Sequence, residues 1–184
     1  MGILPADIEK TILRKISRGD DTAMKMVYDA LGKYLSGVCS RYIDDDDDAK
    51  DVLQNVMVRI LTNLEKFQWK GTGSLQAWTT KIAVNESLQF LRSRKQDKTV
   101  PLEEDIGDSP DPDIRHIPPQ EIMEMIRKLP PQYRTVFNLY VFEDKSHQEI
   151  AELLGIKENS SASNLHRAKK LLCEMINQYR KQHE

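Results

Sequence analysis

The chain has 184 residues, 39% of them hydrophobic and 30% charged, which suits one medium domain or two small ones with packed cores. No apolar run approaches the ~18 residues of a membrane span, and Met1-Gly2-Ile3-Leu4-Pro5-Ala6-Asp7 lacks the basic start and long apolar stretch of a secretory signal. A formal net charge of −2 is not the basic excess usual in nucleic-acid-binding domains, so any such role must rest on local charge.

In chain order, Ile8, Ile12, Leu13 and Ile16 recur at helical spacing, and Gly19-Asp20 closes that element. A second helical series holds Ala23, Val27, Leu31, Tyr34, Leu35, Val38 and Tyr42. The unbroken acidic run Asp44 to Asp48 follows. Its carboxylates lack calcium-loop spacing, so it reads as a solvated turn and helix cap. A third series runs through Val52, Val56, Ile60, Leu61 and Leu64. Gly71 and Gly73 break the chain, and Ser74 is placed to cap a fourth helix with Leu75, Trp78, Ile82, Ala83, Leu88 and Leu91. These spacings predict a bundle of about four helices over residues 1–98. No segment alternates with period two, so the expected fold class is all-α.

The segment from 99 to 117 breaks this pattern. It has few large apolar residues and carries Pro101, Gly107, Pro110 and Pro112. Glu103 to Asp113 holds six acids and no base. It reads as an extended acidic linker, because it cannot bury enough surface to order itself. Charge is polarised around it: Lys66 to Lys98 carries seven Lys/Arg against two acids, and Lys157 to His183 carries six against two.

Residues 118–184 then form a second helical domain. Pro118 and Pro119 suit a helix start, with Ile122, Met125, Ile126 and Leu129 as the apolar face and Pro130-Pro131 as the stop. The next helix holds Tyr133, Val136, Phe137, Leu139, Tyr140 and Val141. Ser146 followed by Glu149 makes a capping box for the helix that ends at Leu154. Ile150 and Leu154 point to the core, and Ala151 is small where two helices cross. Gly155 supplies the positive φ of a tight turn, and Ile156 plugs the corner. A long helix from about Glu158 to Gln182 completes a helix-turn-helix. Its N-terminal side chains, Ser160, Ser161, Ser163, Asn164 and Arg167, with His166, Lys169 and Lys170, would meet base edges and phosphates in a major groove.

Two motif sets, one in each domain, carry a family resemblance. The run Leu129-Pro130-Pro131-Gln132-Tyr133-Arg134-Thr135-Val136-Phe137, then Glu149 to Ile156 and Leu165-His166-Arg167-Ala168-Lys169, closely resembles region four of bacterial extracytoplasmic-function (ECF) sigma factors. Asp48 to Val56, Phe67, Gly73 to Trp78 and Lys81 to Asn85 resemble region two. The resemblance implies a non-enzymatic transcription initiation factor with three partners: core RNA polymerase, promoter DNA and an anti-sigma factor that masks these surfaces. By position it implies that Asp48, Asp51, Val52, Gln54 and Asn55 dock on polymerase. Trp69, Lys70, Ser74, Trp78, Lys81 and Asn85 would read and trap unstacked bases of the −10 element, and Ser160 to Lys170 would read the −35 element. The chemistry fits, since an aromatic stacks on an extruded base while Lys81 and Arg92 neutralise phosphates. Departures from the family pattern are Asn55 for an acidic residue, Ser161 for the common valine, and Ala162 and Asn164 for basic positions. Asn55 implies a polymerase contact that differs in detail, and the three departures on the recognition helix imply a different −35 preference and a weaker phosphate grip.

Cys39 and Cys173 sit in apolar helical patterns and read as reduced thiols of a cytoplasmic protein. The four histidines lack metal-ligand spacing, and no phosphate loop or nucleophile constellation is present, so neither metal, cofactor nor catalysis is expected. From the residues alone two other readings stay open. A stand-alone helix-turn-helix regulator would bind an operator without polymerase; an interaction adaptor with a degenerate helix-turn-helix would not touch DNA.

Overall fold

Apolar residues spaced three and four apart dictate helices, and a computed structural model describes eight of them across residues 4–94 and 114–183. The acidic Pro-rich segment from 99 to 113 lies outside the described residues. The chain divides into two units, Met1–Gln96 and Asp97–Glu184. Every described element is helical.

In the first unit, α1 (Ala6–Ile16) lies on α2 (Thr22–Tyr42), and α2, α3 (Asp46–Asn63) and α4 (Ser74–Ser93) pack mutually. A 3-10 turn at Leu64–Lys66 follows α3. The buried stripe of α2, Val27, Leu31, Leu35, Val38 and Tyr42, meets Val52, Val56 and Ile60 of α3 and Leu75, Ala83 and Leu88 of α4. Each such aliphatic side chain contributes roughly 1.5–3 kcal/mol on burial. The acidic run starts α3. Asp45 accepts from the backbone N–H groups of Asp47 (3.0 Å) and Asp48 (2.9 Å). Asp46, Asp47 and Asp48 form a first turn where the helix dipole favours negative charge. Arg59 ties α3 to Glu86 of α4 at 2.6 Å, and Arg94 pairs with Asp48.

The expected Ser74 cap is not what starts α4. Gly73, at φ 86°, occupies the N-cap position and Ser74 is the first helical residue. The missing cap is supplied by Glu9 of α1, a fully buried side chain.

In the second unit, α5 (Pro119–Arg127), α6 (Pro131–Val141) and α7 (His147–Leu154) pack on the long α8 (Glu158–His183). Pro119 and Pro131 occupy first-turn positions, where a missing N–H costs nothing. The core holds Met125, Ile126, Leu129 and Tyr133 against Ala168, Leu172 and Ile176 of α8. Arg134 is also buried and donates from Nη1 to the Arg127 carbonyl, a C-terminal acceptor of α5, at 2.5 Å. Asp144, at φ 51°, turns the chain between α6 and α7.

Candidate nucleic-acid interface

The helix-turn-helix is held by local chemistry. Ser146 Oγ accepts from the Glu149 N–H at 3.2 Å, and Glu149 returns the bond to the Ser146 N–H at 2.9 Å. Lys145 donates to the same carboxylate at 2.7 Å. Led by that bond from Lys145, then by those from Ser146, the Glu149 carboxyl falls from 4.5 to about 2. Gly155, at φ 66° and ψ 38°, closes α7, and the N–H of Ile156 reaches back to the Ala151 carbonyl at 3.1 Å. Ile150 is fully buried, as its position requires; Leu154 is only half-buried.

The buried stripe of α8 runs Ser161, Leu165, Ala168, Leu172 and Ile176. Helical phase therefore puts Ser163, His166, Arg167 and Lys170 on the other side, flanked by Ser160, Asn164 and Lys169. All seven are partly exposed. Ser161 departs from the expectation: it is fully buried, and its Oγ shares a hydrogen bond with His147 Nδ1 at 3.0 Å, so it faces α7 and not DNA. His147 in turn stacks on Tyr140 at 4.9 Å. The Arg167 guanidinium lies 6.0 Å from the Tyr133 ring centroid. His166 Nε2 is buried with no hydrogen-bond partner among the described residues, so that nitrogen does not face solvent.

A second surface forms on α4 and the loop before it. Trp78, Lys81 and Asn85 fall three and four apart on α4, in line with Ser74 at its start. Lys81 and Asn85 are exposed. Trp78 is half-buried, its ring 5.2 Å from that of Phe67, so part of it serves packing. Trp69 is 47% exposed, with the Lys10 ammonium 5.7 Å from its ring centroid, and Lys70 beside it is exposed. Ser74 is committed internally: its hydroxyl accepts from the Lys70 N–H at 3.2 Å and donates to Glu9 at 3.4 Å.

A third surface is the outer side of α3. Asp51, Gln54 and Asn55 are exposed there. Val52 is corrected: it is buried in the core stripe with Val56 and Ile60, one helical step away from that face. Asp48 is engaged by Arg94. The residue that sequence reading missed is Val58, 59% exposed, which extends the stripe from Asp51, Gln54 and Asn55. Its signal was phase, since Val58 lies seven residues past Asp51. Glu9 and Lys10 were also missed. Glu9 heads an i, i+3, i+4, i+7 stripe with Ile12, Leu13 and Ile16, an acid where a hydrophobe is expected.

Elsewhere the described residues offer little chemistry of other kinds. Burial pushes the Cys39 thiol up to about 11, which keeps it protonated. Among the described residues no helix is long and apolar enough to cross a membrane.

Both units match known proteins. Residues 119–172 match the family model described as Sigma-70, region 4, and residues 27–96 match Sigma-70 region 2. The chain is 30% identical over 131 residues to RNA polymerase sigma factor SigV of Bacillus subtilis (strain 168), covering 71% of this chain and 77% of that protein. It is 24% identical over 181 residues to the ECF RNA polymerase sigma factor SigW of the same organism, covering 91% and 96%. It is 30% identical over 130 residues to an RNA polymerase sigma-E factor of Streptomyces coelicolor (strain ATCC BAA-471 / A3(2) / M145), covering 70% and 71%.

Proposed function

Because the chain belongs to the sigma-70 family, among its ECF RNA polymerase sigma factors, we propose that its three exposed surfaces divide the work of transcription initiation. The protein binds core RNA polymerase and directs promoter recognition and melting. The outer side of α3, with Asp51, Gln54, Asn55 and Val58, docks on polymerase. The Trp69–Lys70 loop and the Trp78, Lys81, Asn85 stripe of α4 meet the −10 element. The outer face of α8 meets the −35 element. The units are residues 1–98 and 118–184, with 99–117 as the tether.

The observation that carries the upstream assignment is the face of α8 opposite its buried stripe. Ser163, His166, Arg167 and Lys170 share it at the start of a helix whose angle is fixed by Gly155. Arg167 suits guanine and Asn164 suits adenine, while Lys169 and Lys170 suit phosphates. On α4, Trp69 offers a stacking surface for an unpaired base, worth roughly 1–3 kcal/mol, and Lys70 and Lys81 offer charge to its phosphates. Exposed carboxylates at Asp44 to Asp47 repel DNA, so the neighbouring α3 face suits a protein partner.

Two small DNA surfaces on a chain of net charge −2 bind weakly by themselves. Held together on polymerase, each raises the local concentration of DNA at the other. The protein acts in the cytoplasm, without catalysis or cofactor, and an anti-sigma partner covers these faces when it is idle.

Run-off transcription with purified core polymerase on a pool of genomic promoter fragments tests the reading. Discrete transcripts that need the protein, and that Arg167→Ala abolishes while core binding persists, are expected. Transcripts unchanged by Arg167→Ala would remove α8 from the upstream role. DNA binding without polymerase and without transcripts would replace the whole reading by a stand-alone regulator.

A further inference from the structure

Glu9 poses a question that the three surfaces do not answer. A carboxylate is among the costliest side chains to bury and is kept inside only where hydrogen bonds replace water. Glu9 is 0% exposed. Its partners all lie in one place: Oε2 accepts from the Gly73 N–H at 2.9 Å, Oε1 from the Leu75 N–H at 2.6 Å, and the Ser74 hydroxyl approaches at 3.4 Å.

That place is the junction of the Trp69–Ser74 loop with α4. The junction cannot cap itself, because its N-cap residue is a glycine without a side chain. The loop is also intrinsically loose: Gly71 (φ 119°) and Gly73 (φ 86°) hold conformations that a free chain populates among many others. Only a long-range partner can choose one of them.

Neighbouring residues of α1 reinforce the tie. Lys10 places its ammonium 5.7 Å from the Trp69 ring centroid, and the Leu4 N–H donates to Gln76 Oε1 at 2.7 Å. The start of α1 therefore holds the loop at its exposed aromatic, at its glycine hinge and just inside α4. Glu9 also occupies the electropositive end of α4, so that end is not available to a DNA phosphate. Contacts to DNA are left to the side chains that the clasp positions.

We propose that Glu9 is a positioning residue for promoter melting, fixing the Trp69–Ser74 loop in the one conformation that receives an unpaired base. This rests on the reading that the loop meets the −10 element. Without the carboxylate the α3 face is unchanged, but Trp69 and Lys70 sample several placements and base selection is lost.

The test uses full-length protein assembled with core polymerase, presented with DNA single strands randomised across the downstream element. Wild type, Glu9→Gln, Glu9→Ala and Trp69→Ala are compared for the sequence preference they select, for core affinity, and for thermal unfolding. Glu9→Ala is expected to keep its core affinity and lose about tenfold in preference for the selected strand over scrambled strands, comparable to loss of one stacked base. Glu9→Gln, whose amide oxygen replaces only one acceptor, falls between. Full preference in both Glu9 variants, with loss in Trp69→Ala, overturns the positioning role alone. Full preference in Trp69→Ala, or none in wild type, overturns the loop reading and the inference with it. If Glu9→Ala fails to fold, Glu9→Gln decides. Core affinity falling in step with preference in that variant marks Glu9 as a fold residue only and overturns the proposal.

Discussion

The turn of the helix-turn-helix gives a sharp energetic test. Gly155 sits at φ 66° and ψ 38°, and a Cβ built there meets nothing within 4 Å. Substitution by alanine therefore carries no steric cost from neighbours, and the whole effect is backbone. An L-residue in the left-handed region costs roughly 1–2 kcal/mol, and the loss of glycine's freedom in the unfolded chain returns about 0.4–1 kcal/mol. The net for Gly155→Ala is about 1 kcal/mol of destabilisation, which for a unit of this size lowers the midpoint by roughly 4–8 °C. Gly155→Asn is expected to cost less, since asparagine tolerates this region, and Gly155→Val more. Urea and thermal unfolding followed by far-UV circular dichroism measure the series. Trp69 and Trp78 both lie in the first unit, so tryptophan fluorescence serves as an internal control that should not move. Gly155→Ala at or above wild-type stability, or asparagine worse than alanine, would refute the argument that this glycine is required by backbone conformation.

Four further outcomes follow from the same structure. Ser146→Ala removes the α7 cap and should cost about 1 kcal/mol. The folded Glu149 carboxyl sits at about 2 against an ordinary 4.5. Its contribution is therefore complete above about pH 4.5 and is lost as pH falls towards 2, so hydrogen-exchange protection of α7 should drop across that window and Glu149→Gln should flatten the drop. Arg134→Met leaves the Arg127 carbonyl without its charged donor and should lower the stability of the second unit by about 2 kcal/mol in urea titrations. Val58→Glu should weaken binding to core polymerase without changing stability, whereas Val52→Ala should cost about 2 kcal/mol through a core cavity and alter docking little; the reverse pattern would move the docking face.

What the sequence made legible was what lies close together in it. Ser146, Glu149, Gly155 and Ile156 fall within a dozen residues, and each follows from a local rule of capping or turning. The helices follow likewise from apolar spacing. Phase errors arose where a functional motif and a core stripe interleave on one helix. Val52 belongs with Ala49, Val56 and Ile60, and Ser161 with Leu165, Ala168 and Leu172; counting threes and fours from the unambiguous aliphatics separates both from their exposed neighbours. Glu9 is a different case. Its partners are 64 and 66 residues away, and no local pattern says that a helix start lacking its own cap will borrow one from another helix. Ser74, a plausible cap by residue type, was the local answer to a non-local problem.

The correction at Ser161 changes what the family departures mean. Read as a surface residue, a serine in place of the common valine signals an altered −35 preference. As a buried residue it exchanges an apolar contact for a hydrogen bond to His147, itself stacked on Tyr140. The two are worth about the same: roughly 0.5–1.5 kcal/mol for the bond against about 0.8 kcal/mol for each buried methylene. The substitution thus acts inside the unit, between α7 and α8. On the proposed −35 reading of α8, promoter preference falls to the departures that do reach the surface, Ala162 and Asn164, together with Ser163 and Arg167. Restoring valine at 161 should leave the selected −35 sequence unchanged, while restoring a basic residue at 164 should shift it.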